Sequence, residues 1–394
     1  MIKSALILAA GAGTRMAPLT EGRPKPLIPV AGKPIIKWTI DALRSAGITD
    51  IWVLIRAGDT KIRDYFGDSV GYIVQEKALG TANAISCAKG KITGAFICVN
   101  GDLAVEPSMF SGLIKSYSLF KTNIVAVTES SDPKHFGVLE ITPDMSVSSI
   151  EEKPKNPKGS YINAGAYVFS EEIFSLIEKT KKSPRGEFEI TDSIMMAPLH
   201  AHRYEGVWLD IGKPWDLLDG NEFYLNHLVN QINGDVSKLA VFEGNVEIGK
   251  GTKVLPGVYI EGPVKIGENC KIGPNCYLRP HSSIGNNCHI GSAVEIKNSI
   301  IMDSSNVPHL SYVGDSIIGE NCNFGAGTNV ANLRFDDGEV KLNIRGEKES
   351  SGRRKFGCVV GDNVKTGINV SIMPGKKISS GKRVPPCAVV SKDL

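Results

Sequence analysis

From Ile248 onward an apolar side chain recurs at every sixth position: Ile248, Val254, Ile260, Ile266, Ile272, Leu278, Ile284, Ile290 and Ile296. Glycine follows five of these, at Gly249, Gly267, Gly273, Gly285 and Gly291, and a small or β-branched residue stands two places before each. A helix repeats near 3.6 residues and a lone strand near two, so a period of six predicts short strands stacked coil upon coil, a parallel β-helix of hexapeptide repeats. The frame is expected to slip near Pro308, to resume at Ile318 and Phe324, and to return at Val360, Ile372 and Ile378. Within 333–356 it is broken by a charged insertion carrying Lys341, Arg345, Lys348, Arg353, Arg354 and Lys355. Such a run is ordinarily a solvated loop.

The first half has another texture. Residues 5–8, 51–55, 95–99 and 124–127 are short, nearly unbroken apolar runs, the signature of strands buried on both faces. Between them, 35–46 carries a helical apolar pattern that stops at Gly47. Strands alternating with helices predict an α/β sheet covered on both faces, with ligands beyond the carboxyl ends of the strands. Residues 216–232 show helical spacing until Asn233-Gly234-Asp235 ends it. These patterns predict an α/β domain over 1–220, a helical connector over 221–240 and a β-helix over 241–394.

Charge changes this picture little. Among 394 residues, 45 Lys and Arg stand against 42 Asp and Glu, a net charge of +3, which argues against nucleic acid as a partner. No apolar run approaches a membrane span. The first ten residues resemble a secretory leader, but the run is short and is cut by the turn at 11–15, so a first strand is expected, in a cytoplasmic protein with reduced thiols. The eight cysteines form no Cys-x-x-Cys pair, and Cys270, Cys276 and Cys288 fall on the repeat as small wall residues.

The chemistry concentrates at the strand ends. After the first run comes Gly11-Ala-Gly13-Thr14-Arg15-Met16, then Lys25 between two prolines. Glycines leave backbone amides open to an anion, Arg15 can grip phosphate oxygens with a fork, and Lys25 adds a point charge. There is no second glycine pair for a dinucleotide fold and no Gly-Lys-Ser/Thr for a P-loop. On Gly-x-Gly-Thr-Arg-Met with the Pro-flanked lysine, the chain resembles the sugar-1-phosphate nucleotidylyltransferases. That resemblance implies catalytic roles for Arg15 and Lys25, and nucleotide contacts from Ala10, Gly11, Gly13 and Thr14. It also implies recognition of uracil or thymine by Gln75 with Gly80 and Thr81. Asp102, in Asn100-Gly101-Asp102, is well suited to Mg²⁺, with Asp210 of Trp208-Leu-Asp210 as its implied partner. Gly137, Glu151 and Asn163 would contact the sugar and Lys153 its phosphate, although Glu151 and Glu152 stand in one acidic pair and the residues alone do not separate them. His200 and His202 share a strand face with no third ligand nearby, and read as surface or packing.

In the second half, Val307-Pro308-His309-Leu-Ser-Tyr312 is followed by Asn323-Phe-Gly-Ala326-Gly and by Asn332, with Arg279 30 and Lys297 12 residues before His309. This spacing resembles the acetyltransferase half of the bifunctional N-acetylglucosamine-1-phosphate uridylyltransferases, a left-handed β-helix family. It implies His309 as general base, Arg279 and Lys297 as sugar-phosphate clamps, and Tyr312, Asn323, Ala326 and Asn332 around the acceptor and acetyl group. Gly338 stands where that family places a lysine, and Lys341 is the nearest substitute. Beside this segment the charged insertion has a second reading, as a lid or a contact to the phosphates of coenzyme A.

Taken together, the halves resemble the archaeal bifunctional sugar-1-phosphate nucleotidylyltransferases/acetyltransferases. The fold implied is a Rossmann-like nucleotidyltransferase domain followed by a left-handed parallel β-helix. Mg²⁺, UTP or dTTP, sugar-1-phosphates and acetyl-CoA are the implied cofactors and substrates, in a homotrimer or a multiple of it. Two other readings are a nucleotidylyltransferase with a structural or regulatory β-helix, and a non-catalytic regulatory subunit. The His309 set weighs against the first, and the intact phosphate loop and carboxylates against the second.

Overall fold

The apolar runs of the first half are strands in the computed structural model, which describes residues 2–394. In chain order the elements are β1 (Ser4–Leu8), α1 (Ile35–Ser45), β2 (Asp50–Arg56), α2 (Lys61–Phe66), β3 (Gly71–Gln75), α3 (Thr81–Ser86), β4 (Phe96–Asn100), β5 (Leu103–Val105) and α4 (Pro107–Phe120). They continue with β6 (Asn123–Glu129), β7 (Gly137–Ile141), β8 (Val147–Glu152), β9 (Tyr161–Phe169), α5 (Ile173–Lys179), α6 (Ile190–Ile194), β10 (Leu199–Arg203), β11 (Trp208–Asp210) and α7 (Asp216–Leu225). By packing, the chain falls into two units: residues up to Ala12 with Ile35–Asp210, and Gly13–Pro34 with Ile211–Leu394.

The first unit is built on one mixed sheet, ordered β8-β7-β9-β4-β1-β2-β3, with β6 on β9 and β10 on β6. β1 runs parallel to both neighbours, so Leu8 lies level with Leu54 and with Asn100. β2 and β3 are parallel too, pairing Arg56 with Gln75. Parallel strands end on a common edge, which gathers Leu8, Gln75 and Asn100 where the chain turns toward Gly11. Ala5, Leu6 and Ile7 are buried because helices cover both faces, which is why β1 reads as unbroken apolar sequence. On one side the core packs Phe96 edge-on against Phe169 and stacked on Phe174. No helix among the described residues is long and apolar enough to cross a membrane.

In the second unit the six-residue period becomes parallel ladders. Ile248 pairs beneath Ile266 and Ile266 beneath Ile284, one coil every three repeats. The interior is a column of Ile, Val and Leu with Cys270, Cys276, Cys288, Cys322 and Cys358, whose free thiols are buried. Left-handed residues turn the corners, among them Asn269, Asn275, His281, Asn287, Ala293, Asn298, Ser304, Leu310, Asp315 and Asn321.

Three expectations are corrected here. Val307 stays in register under Ile290, so the frame does not slip at Pro308. The coil instead shortens by one residue at two corners, Asn298 and Asp315, so that Ile284 pairs with Ile301 and Ile301 with Ile318. The helix ends at Leu225, not near residue 232, and the stretch Gln231–Ile232 already pairs with the first coil at Glu247 and Ile248. Val229 and Ile232 mimicked a helical stripe but are exposed. Nor is the charged insertion a plain solvated loop. It folds as a hairpin, Lys341–Ile344 against Glu347–Ser350, with Val340, Leu342, Ile344 and Phe356 buried beneath it.

Candidate active sites

At the edge of the first unit, the antiparallel pairing of β11 with β5 sets Asp210 opposite Leu103. Asp210 thereby stands on the rung that follows Asp102, and both carboxylates are half-buried. The pairing of β9 with β6 shifts register between Asn163 and Tyr167, and within this irregularity Gly165 (φ 70°) lies so near Asn100 that a Cβ there would stand 2.5 Å from the amide nitrogen. Trp208 Nε1 donates to the carbonyl of Ala164 at 2.9 Å and its ring meets Phe136 edge-on, fixing the same corner. Gly137 begins β7 opposite Glu152, and a Cβ on it would stand 3.0 Å from Glu152 Oε2 and 3.5 Å from Asn163 Cβ. Glu152, Gly137 and Asn163 therefore share one face. Glu151 pairs with the buried Val138 instead and is exposed, so of the acidic pair it is Glu152 that faces Gly137 and Asn163. Burial, partly offset by Lys153 and Arg185, raises the Glu152 carboxyl above the usual range.

Gln75 is buried and its Nε2 donates to Asn83 Oδ1 at 3.0 Å. Gly80 precedes α3 with φ 118°, and a Cβ there would meet the backbone of Phe188 at 2.5 Å. Thr81 Oγ1 accepts the amide of Ile190 at 2.9 Å. A loop from another part of the chain thus locks Gly80 and Thr81. The two histidines behave as packing groups: His200 stacks on Phe120, and burial lowers the pKa of His202.

The cationic loop Gly13–Pro34 belongs to the second unit. Gly13 has φ 61°, and a Cβ on it would stand 2.9 Å from the Lys25 stem, so glycine is demanded twice. Gly11 is different: a Cβ there would meet nothing within 4 Å, so the protein's own packing does not explain it. Lys25 is only 8 % exposed, whereas Arg15 is exposed. Between them Arg23 is clamped, its Nη2 donating to both oxygens of Asp362 at 2.8 and 2.7 Å and its Nη1 meeting Glu320 at 2.7 Å.

On the coil, outward positions of successive strands stack into columns. Arg279 and Lys297 project from neighbouring rungs of one column, with Gly314 next. Tyr277, Glu295, Tyr312 and Asn329 form the column beside it. Arg279 is steered by Glu295 at 2.9 Å, and Lys297 Nζ lies 3.5 Å from Asp315. Asn332 donates to Tyr312 Oη at 3.1 Å and to Asp315. Burial, then the Asp315 charge, raises the Tyr312 phenol, which keeps it protonated. His309 ends its strand in the open at the next corner, where its carbonyl accepts the Gly327 amide at 3.2 Å and so sets Ala326–Gly327 beside it. Asn323 bridges to Asn306 three residues upstream of His309. Burial and the charges of Lys271 and His309 lower the neighbouring His289 imidazole. A cavity of about 680 Å³ opens beside Tyr312, with Asn329, Ala331, Arg334, Met373 and Lys376 in its wall.

A model of the nucleotidyl transferase family matches residues 4–227, and one of the GMPPB C-terminal domain matches 260–384. The chain is 43 % identical over 398 residues to the bifunctional protein GlmU of Methanococcus maripaludis, spanning 99 % of this chain and 95 % of that one. It is also 43 % identical to the bifunctional sugar-1-phosphate nucleotidylyltransferase/acetyltransferase of Sulfurisphaera tokodaii, spanning 99 % and 98 %. The chain belongs to this bifunctional nucleotidylyltransferase/acetyltransferase family. Among solved structures, a glucose-1-phosphate thymidylyltransferase from Bacillus anthracis aligns over 56 % of this chain and 94 % of its own, at 30 % identity and a TM-score of 0.51. A UDP-glucose pyrophosphorylase, at 23 % identity and a TM-score of 0.53, shares the fold over 58 % of this chain and all of that one.

For this member of the bifunctional family, short motifs do not show several residues that the structure sets beside the candidate groups. Arg185 reaches Glu152 at 3.5 Å and Glu189 at 2.7 Å, a position fixed by strand register that no short motif shows. The motif Asn100-Gly101-Asp102 points to its carboxylate, whereas the Asn100 amide is the group packed closely beneath Gly165. At the coil, Arg334 and Lys376 supply the cavity's cations. Lys341 lies on the hairpin strand paired with Ser350 and is absent from that wall.

Proposed function

We propose that the first half joins a sugar-1-phosphate to UTP or dTTP with release of pyrophosphate, and that the coil transfers an acetyl group from acetyl-CoA to glucosamine-1-phosphate or galactosamine-1-phosphate. The acetyl reading is carried by the paired columns that set two cations, Arg279 and Lys297, beside the Tyr312–Asn332–Asp315 network. A sugar phosphate needs such a clamp. At that site His309 removes the proton from the acceptor amine as nitrogen attacks the thioester carbon. The carbon–sulfur bond breaks and coenzyme A leaves. Tyr312 accepts its hydrogen bond from Asn332 and is left with its own proton to donate to the developing oxyanion.

In the nucleotidylyl reaction an oxygen of the sugar phosphate attacks the α-phosphorus and the bond to pyrophosphate breaks. Arg15 and Lys25 meet the negative charge. Asp102 and Asp210 fit Mg²⁺, being hard oxygen donors on paired strands, with one or two carboxylates the usual protein share for that ion. When bound, the ion would polarise phosphate oxygens. Gln75, Gly80 and Thr81 hold the base, Gly137, Glu152 and Asn163 the sugar, and Lys153 with Arg185 its phosphate. Assembly as a cytoplasmic homotrimer, or a multiple of it, completes the reading.

The deciding experiment measures thiol release from acetyl-CoA and pyrophosphate release from UTP or dTTP on wild type, His309→Ala and Asp102→Ala. Each substitution should abolish one activity and spare the other. Loss of both activities in either folded variant would refute the two-site reading, and absence of acceptor-dependent thiol release in wild type would leave the coil structural or regulatory.

A further inference from the structure

The charged insertion is held toward the phosphate loop, not toward the acetyl site. Its hairpin turns through only two residues, Arg345 and Gly346, at φ 53° and 92°. Both centres of such a turn take left-handed backbone, where Asn, Asp or Gly is the ordinary choice and a long side chain is strained. Asn343 Oδ1 accepts the Gly346 amide at 2.8 Å, and the alternate residues Leu342 and Ile344 are buried, so the turn is rigidly presented. The stem is braced by Lys213 on Glu349 at 2.6 Å and by Arg353 on Asp219. At its tip the Arg345 fork donates Nε and Nη2 to Thr14 Oγ1, the Nε at 2.8 Å. Thr14 precedes Arg15 in the anion-holding turn, and both it and Arg345 lie in the same unit. The loop is meanwhile fastened to the coil by the Arg23 clamp and by Glu21, which accepts the Ser380 amide at 2.8 Å.

We propose that Arg345 is a third cation for the nucleoside triphosphate, delivered to the Gly13–Arg15 turn by the β-helix hairpin. A neutral threonine hydroxyl is a modest partner for a guanidinium with five donors, and phosphate oxygens match the fork better. The side chain is exposed and already oriented, so contact with the triphosphate requires only exchange of the hydroxyl for phosphate oxygens. This inference rests on reading the turn as the triphosphate site.

Calorimetric titration of the full-length protein with UTP, dTTP and UMP, with Mg²⁺ present, tests it on wild type, Arg345→Ala and Arg345→Lys. The alanine variant should bind the triphosphates roughly tenfold more weakly, as loss of a hydrogen bond to a charged group implies. UMP, which lacks the two further phosphates, should lose less, and lysine should recover part of the deficit. Acetyl transfer should be unchanged. Triphosphate affinity in Arg345→Ala within twofold of wild type would overturn the assignment, as would a loss that lysine does not relieve. Wild-type protein that binds triphosphate without releasing pyrophosphate would instead refute the nucleotidylyl reading, while the affinity comparison would still decide Arg345. Failure of wild type to bind either triphosphate would overturn both.

Discussion

The two regions that carry chemistry place their side chains by opposite means. In the coil, Arg279 and Lys297 project from one outward column of stacked strands and Tyr312 and Asn329 from the column beside it, and adjacent rungs are set about 4.8 Å apart by the ladder. Each group is braced from the rung above or below, as Glu295 braces Arg279 and Asp315 braces Lys297. The sheet unit gathers its groups from strand ends far apart in sequence: Asn100 ends β4, Gly137 begins β7, Glu152 ends β8 and Asp210 ends β11. A coil site is thus local and repetitive, whereas a sheet-edge site depends on register over a hundred residues. Damage in the coil should stay confined to one function, and damage to a register support should spread.

The largest effect expected is at His309. Replacement by alanine should slow acetyl transfer by about 10²–10⁴, the range for a lost general base, with pyrophosphate release unchanged. Asp102→Asn should cost the nucleotidylyl step a hundredfold or so, the scale of lost charge stabilisation around a metal, and spare acetylation. A His309→Ala protein that also released pyrophosphate slowly would break the contrast between the regions.

Next comes the Arg23 clamp. Its side chain is 8 % exposed and Asp362 only 14 %. Arg23→Met strands a buried carboxylate, and breaking such a pair costs about 3–5 kcal/mol. Urea unfolding should show that loss, and pyrophosphate release should fall because Arg23 lies between Arg15 and Lys25. Adding Asp362→Asn, which keeps the oxygen that accepts the Glu320 amide at 2.8 Å, should restore most of the stability, since the uncompensated charge is then gone. Double-variant stability no better than that of Arg23→Met would show that the loop is held by something else.

How legible each region was in the sequence follows from the same contrast. Counting by six locates Arg279 and Lys297 on one column, because in a coil position in sequence is position in space. Counting failed only where the corners lose a residue, since the doubled pairs Ile300-Ile301 and Ile317-Ile318 offer two apolar residues for one interior place. In both pairs the second residue faces the interior and the first is buried on the outer side. At the sheet edge, short motifs marked Asp102, Asp210 and Asn163 but could not say which of two adjacent glutamates shares a face with Gly137 and Asn163. That depends on the pairing of Glu152 with Gly137 across strands. The partners of Arg23 were invisible for a related reason: they lie some 300 residues further along.

The smallest effect separates Glu151 from Glu152 and tests whether register decides function. Glu151→Gln, on an exposed side chain, should leave the KM for sugar phosphate unchanged. Glu152→Gln removes a carboxylate acceptor facing Gly137 and Asn163, and should raise that KM several-fold, the worth of one ordinary hydrogen bond. Because burial raises the Glu152 pKa, this carboxyl takes up a proton at a pH where an ordinary glutamate is still charged. In wild type the KM should therefore rise as pH falls through a point above the usual glutamate range, and in Glu152→Gln that rise should vanish. Stability gives the matching sign. The folded state holds this proton where the unfolded chain has released it, so stability is lost as pH rises through the raised folded value. Glu152→Gln should accordingly gain stability over wild type at neutral pH, and the gain should disappear below the unfolded pKa. A gain that persisted in acid would mean that glutamine improves packing, and a pH-dependent KM in the variant would assign the titration to another group.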